Sequence, residues 1–85
     1  MIYFLYILKS KSANKFYVGI YQNPTLRLQY HNSFEKRFTA RYRPWEIVFS
    51  HEFNSKTEAA NIESKIKSWK SSKMIQRVID GYITF

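Results

Sequence analysis

The chain has 85 residues and carries 14 Lys+Arg against 6 Asp+Glu, a net charge of +8, which leaves room for one domain over residues 1–85. Seven Phe, seven Tyr and two Trp exclude intrinsic disorder, and the lack of cysteine excludes a disulfide scaffold, a zinc ribbon and a thiol nucleophile. No apolar run reaches the roughly 20 residues of a bilayer span, and the apolar N-terminus lacks a signal peptide's basic lead-in and cleavage site, so a cytoplasmic protein without membrane contact is expected.

Residues 2–8 are continuously apolar and aromatic, the pattern of a strand covered on both faces. Lys9 to Asn14 is polar and turn-forming. Phe16 to Tyr21 then alternates, with Phe16, Val18 and Ile20 on one face and Tyr17, Gly19 and Tyr21 on the other; a β-hairpin with a loop of about six residues follows. Gly19 weakens a strand interior unless something approaches its backbone closely, so the flanking tyrosines are expected to border a groove. Asn23-Pro24 reads as a cap and first helical position. Leu26, Tyr30 and Phe34 recur every four residues as an expected core stripe, and Arg27 and His31 share the adjacent face.

From Asn32 to Pro44 the chain is polar and basic, a loop with room for one helical turn. Glu46 to Phe53 is the third predicted strand, with Ile47, Phe49 and Phe53 expected on one side. Ser55-Lys56-Thr57-Glu58 has the form of a capping box opening the longest helix, whose buried stripe is Ala59, Ile62, Ile66 and Trp69. Ser71-Ser72 breaks it. A last amphipathic helix holds Met74, Ile75, Val78 and Ile79 and stops at Asp80-Gly81. The order β-β-α-β-α-α describes an α+β domain, a small three-stranded, mainly antiparallel sheet flanked by helices.

The charge is skewed. Residues 1–42 balance at +6 and residues 43–85 at +2. Such a skew points to a polyanion, most often nucleic acid, with a solubility surface as the plain alternative. Familiar catalytic kits are short of parts: the two glycines cannot make a phosphate loop, and two histidines twenty positions apart do not make a metal cage. A Ser-His-Asp triad would need Asp80, the only aspartate. What remains is a set of polar groups on elements able to converge: Tyr6, Tyr17, Tyr21, Arg27, His31 and Glu63. Each has a structural reading beside the chemical one. Tyr6 could be a core tyrosine, Arg27 and His31 plain helix-face residues, and Glu63 a helix partner of Lys67 one turn on.

Phe4-Leu5-Tyr6, followed eleven residues later by Tyr17-Val18-Gly19, resembles the paired motifs of the GIY-YIG nuclease superfamily. Asn23 to Asn32 resembles that family's helix, with Arg27 and His31 in register. Phe38 to Trp45 with Ile47-Val48-Phe49, and Ser55 to Lys70, resemble its third-strand region and its glutamate-bearing helix. The resemblance covers nearly the whole chain and is similar to small single-domain members and to the N-terminal domain of the excision-repair nuclease subunit. It implies metal-dependent DNA phosphodiester hydrolysis, in repair or on branched or damaged DNA. Tyr6, Tyr17, Arg27 and His31 would be catalytic, and Glu63 would hold a single Mg²⁺ or Mn²⁺. The alternative is a non-catalytic nucleic-acid-binding module on the same fold.

Arg27 suits that role because its planar fork of donors matches phosphoryl oxygens. One carboxylate, with substrate phosphate and waters, is a normal setting for Mg²⁺. Tyr6 or His31 would take the proton from water, and the residues leave that choice open. Substrate grip is expected from Lys9, Lys11 and Lys15 in the hairpin turn and from Arg37, Arg41 and Arg43 in the mid-chain loop, through phosphates and without sequence preference. Three departures from the family pattern stand out: Phe-Leu-Tyr replaces Gly-Ile-Tyr, Leu26 replaces a basic residue, and no Asn follows Glu63, Gln76 being the nearest amide. A bare domain of this kind leaves room for a protein partner that supplies specificity.

Overall fold

The central strand is the most apolar one, and that fixes the architecture. In a computed structural model describing residues 1–34 and 38–85, β1 (Tyr3–Ser10) lies between β2 (Phe16–Tyr21) and β3 (Trp45–Phe53), in the sheet order β2-β1-β3. Both neighbours are antiparallel to it. α1 (Pro24–Ser33) and the single turn α2 (Phe38–Arg41) join β2 to β3, and α3 (Lys56–Ser68) and α4 (Ser72–Ile79) follow. The order β-β-α-β-α-α is the expected one, and α2 is the helical turn anticipated in the basic loop.

Because β1 side chains alternate, its two faces feed two cores. Leu5 and Ile7 pack with Val18, Ile66 and Val78, all buried, joined by Ile62 and Trp69 of the α3 stripe and its C-cap. Tyr6 and Leu8 face the other way and pack with Trp45, Tyr17, Tyr21, Leu28 and Ile47. Each fully buried aliphatic side chain contributes about 1.5–3 kcal/mol from burial. Among the described residues no helix is long and apolar enough to cross a membrane.

Helix ends follow the expected chemistry. Asn23 Oδ1 accepts from Leu26 N with Pro24 in the first turn, and Ser55 and Ser71 hydroxyls accept from Glu58 N and Met74 N. Gly81, at φ 86°, takes the left-handed conformation that ends α4.

Two packing expectations are corrected. Ile47 and Phe49 do not share a face. The register steps from Ile7↔Phe49 to Leu8↔Ile47, so Val48 is an extra residue, and this bulge sends Ile47 to the Tyr6 core and Phe49 to the Leu5 core. The second correction concerns α1. Leu26 is 52% and Phe34 70% exposed, whereas His31 is fully buried. The helix turns its polar histidine inward because partners await it there, and the apolar stripe is left on the outside.

Candidate functional site

Tyr6 is the centre around which the other groups gather. It is 1% exposed, and in the sheet its partner across the strand pair is Gly19. A Cβ on Gly19 would lie 2.6 Å from the Tyr6 hydroxyl oxygen and 2.8 Å from its Cζ. The glycine is therefore the clearance into which the phenol fits. The Tyr6 ring fills the space over Gly19, and Tyr17 and Tyr21 pack around that ring; each also borders an open groove as expected, Tyr21 one beside Arg27 and Tyr30 and Tyr17 another beside Ile66 and Lys70.

His31 reaches the same point from α1. Its Nε2 lies 3.2 Å from the Tyr6 hydroxyl and its Nδ1 3.1 Å from Thr39 Oγ1. With Nε2 unprotonated, Tyr6 donates to it and Nδ1–H donates to Thr39. The Tyr17 ring covers the imidazole at 4.5 Å between centroids.

Arg27, one turn before His31, lays its guanidinium against Tyr30 at 4.3 Å and near Tyr21 at 5.4 Å. These contacts hold a long cation in place and leave its fork of donors directed by the rings. Burial pushes the Tyr6 phenol well above the ordinary tyrosine value, and Tyr17 adds to the shift. The Arg27 guanidinium opposes it, while the Glu63 carboxylate raises it again. Tyr6 is therefore a neutral phenol at physiological pH.

Glu63 comes from α3 with its side chain 20% exposed, and Lys67 Nζ lies 3.1 Å from its Oε2. The structural reading of Glu63 is thus real, and it coexists with proximity to Tyr6. Among the described residues no group of three or more His, Cys, Asp or Glu side chains could cage a metal. Among the described residues Glu63 is the carboxylate near enough to raise the Tyr6 pKa.

The expected grip residues fall on two segments that meet. Ser10 Oγ donates to Tyr42 O at 2.7 Å and accepts from Ser12 N and Ala13 N, while Lys11 N donates to Pro44 O at 2.8 Å. The hairpin loop carrying Lys11 and Lys15 is thereby tied to the segment carrying Arg41 and Arg43, and Lys15 Nζ sits 5.7 Å from the Tyr42 ring centroid. Lys9 instead lies over Phe16. Arg43 Nε donates to His31 O at 2.7 Å, so it braces the site helix as well. Arg37 lies outside the described residues.

Three supporting residues carry no signal in the linear sequence. Thr39 holds His31 through its hydroxyl, and its carbonyl accepts from Trp45 Nε1 at 2.7 Å. Asn32 accepts from Trp45 N at 2.7 Å and donates to Trp45 O at 3.1 Å, copying a strand partner with a side chain. These bonds fix α1 against the start of β3, and only folding brings their members together. Asn32→Ala strands both backbone groups of Trp45 from that partner. We expect a loss of about 2–3 kcal/mol in denaturant unfolding at unchanged m-value; a variant as stable as the parent would show that water replaces the amide without cost.

Comparison with known proteins follows the same outline. Residues 2–76 match the family model of the GIY-YIG catalytic domain. The structure-specific endonuclease subunit SLX1 of Meyerozyma guilliermondii is 35% identical over 79 residues, covering 84% of this chain and 26% of that protein, so the chain spans about a quarter of SLX1. UPF0213 protein SSP2268 of Staphylococcus saprophyticus is 28% identical over 80 residues, covering 93% of this chain and 96% of that one. The solution NMR structure of UPF0213 protein BH0048 from Bacillus halodurans aligns with a TM-score of 0.57 at 31% identity, covering 92% of this chain and 83% of that one.

Proposed function

Since the chain belongs to the GIY-YIG catalytic domain family, we propose that it is a metal-dependent endonuclease that hydrolyses DNA phosphodiester bonds in the cytoplasm, in repair or on branched or damaged DNA. One observation carries this reading. The Tyr6 hydroxyl meets His31 Nε2 at 3.2 Å under the Tyr17 ring, with Arg27 one turn from His31 on α1 and the Glu63 carboxylate of α3 near enough to raise the phenol's pKa. Either structural explanation of Arg27 or Glu63 would leave that meeting without a reason.

The Glu63 carboxylate suits a single hydrated Mg²⁺ or Mn²⁺, and the described residues offer no cage for an ion. Glu63 would hold it, with substrate phosphate and waters completing the shell and Lys67 giving way. Bound there, the cation would neutralise phosphate charge and stabilise the leaving oxygen. Arg27 would hold the phosphoryl oxygens through its fork as charge builds on them. A water would form the new P–O bond as the P–O bond to the leaving strand breaks. Its proton would pass to Tyr6 as the phenol delivers its own proton to His31 Nε2, 3.2 Å away. The two candidate bases thus work in series. Lys11, Lys15 and Arg41 would supply phosphate grip. SLX1 is by name a subunit, and we extend that to this chain as a protein partner that adds specificity.

The closure of Tyr6 and His31 to solvent favours a second reading, a binding module without catalysis. Plasmid nicking separates the two. The nuclease reading expects nicking that depends on Mg²⁺ or Mn²⁺, and expects Glu63→Gln to raise the cation concentration for half-maximal nicking at least about tenfold. Protein that binds supercoiled, nicked and branched DNA yet cleaves none of them would establish the binding module instead. Equal cation dependence in Glu63→Gln would remove the metal assignment.

A further inference from the structure

The stripe that α1 turns outward is the feature the nuclease reading does not use. Leu26 and Phe34 are large apolar side chains left 52% and 70% exposed in a domain with little core to spare. With Tyr30, Gln29, Arg27 and Tyr21 of β2 they line an open groove of about 220 Å³. Tyr30 and Phe34 rings lie 6.3 Å apart at an angle of 34°, one turn from each other along the helix. Arg27 belongs to this groove and to the Tyr6 site at once.

The occupant must therefore be flat and apolar on its faces, and joined at one edge to an anion that a guanidinium can hold. A nucleobase on its sugar-phosphate has that form. Exposed aromatic rings beside a cation are the usual platform for unpaired bases, because every base offers a π-face. A base inside a duplex is already stacked on both sides and cannot enter. We propose that this groove seats one unpaired nucleobase, stacked on Phe34 and Tyr30, from a strand whose adjoining phosphate is held by Arg27. The substrate is then DNA with an unpaired nucleotide next to the scissile bond. This rests on the nuclease reading only in placing the reacting phosphate at Arg27.

Binding measured in EDTA, with no cleavage, tests it. The probes are a fully paired duplex and the same duplex with one unpaired 2-aminopurine. Wild type is expected to bind the second about tenfold or more tightly and to quench its fluorescence. Phe34→Ser should lose both the preference and the quench, and Phe34→Trp should restore them. Both substitutions are at an exposed position, and melting curves matching wild type verify the fold. Equal affinity for both probes with no quench overturns the base site and leaves the nuclease reading standing. Failure to bind either probe at low salt overturns the DNA reading along with it. Self-association that Phe34→Ser abolishes, with the DNA preference intact, would assign the groove to a second copy of the chain and overturn the proposal.

Discussion

Arg27→Ala is expected to reduce plasmid nicking by about 10³-fold or more, the scale on which a single arginine stabilises phosphoryl transfer. The loss should fall on the rate of cleavage. Grip from Lys11, Lys15 and Arg41 on the tied loops survives the substitution, so DNA affinity should fall by no more than about tenfold. Arg27→Lys should fail nearly as badly. A lysine keeps the charge but presents a point in place of a fork, and it loses much of the stacking at 4.3 Å from Tyr30 that aims the guanidinium. The substitution has a second consequence, at Tyr6. The Arg27 guanidinium is what holds the phenol's pKa down, so its removal leaves burial, Tyr17 and Glu63 to push Tyr6 higher still. A proton relay through that oxygen becomes harder at every pH near neutrality. Single-turnover nicking at saturating protein measures the chemical step directly. A variant within tenfold of wild type would show that Arg27 is the plain helix cation its sequence position allows.

The residues of the candidate site that lie in short motifs can be picked out from the sequence. Tyr6, Tyr17, Arg27, His31 and Glu63 lie on periodic elements whose caps and strand patterns fix their direction, and strand alternation alone sets Tyr17 and Gly19 on one face of β2. Legibility failed where a tertiary partner overrode local pattern. Four-residue spacing in α1 marks Leu26, Tyr30 and Phe34 as core, yet the fold turns His31 inward, where hydrogen-bond partners on two sides satisfy its ring, and leaves Leu26 and Phe34 exposed. The alternation of β3 misplaced Ile47 because one bulged residue at Val48 reverses the faces before it. Nothing in composition or spacing marks Thr39, Asn32 or Trp45 as supports. Their bonds span 6 to 13 residues through irregular chain, and only the folded molecule closes them.

Gly19 offers the sharpest separation between a strand residue and a site residue. In a strand interior glycine costs about 0.5–1 kcal/mol relative to alanine, so on local grounds Gly19→Ala should stabilise the protein. The structure predicts the reverse. The new methyl would stand 2.6 Å from the Tyr6 oxygen, 2.8 Å from its Cζ and 3.1 Å from Tyr17 Cε1. Tyr6 is buried in the second core and cannot swing clear, so either the ring or the β1–β2 ladder must move. We expect a loss of about 1–3 kcal/mol, the usual cost of overpacking. Cleavage should fall about 100-fold, because a displacement near 1 Å breaks the alignment of Tyr6 with His31 and the phosphate. A double-mutant cycle assigns the cause. In a Tyr6→Ala background the clash is gone, and Gly19→Ala should become neutral or stabilising. The coupling between positions 6 and 19 should then reach at least about 1 kcal/mol. Additive effects in that cycle would mean that Gly19 acts through the β2 backbone alone. A coupled result would show that the missing side chain is what allows the phenol to stand within reach of His31.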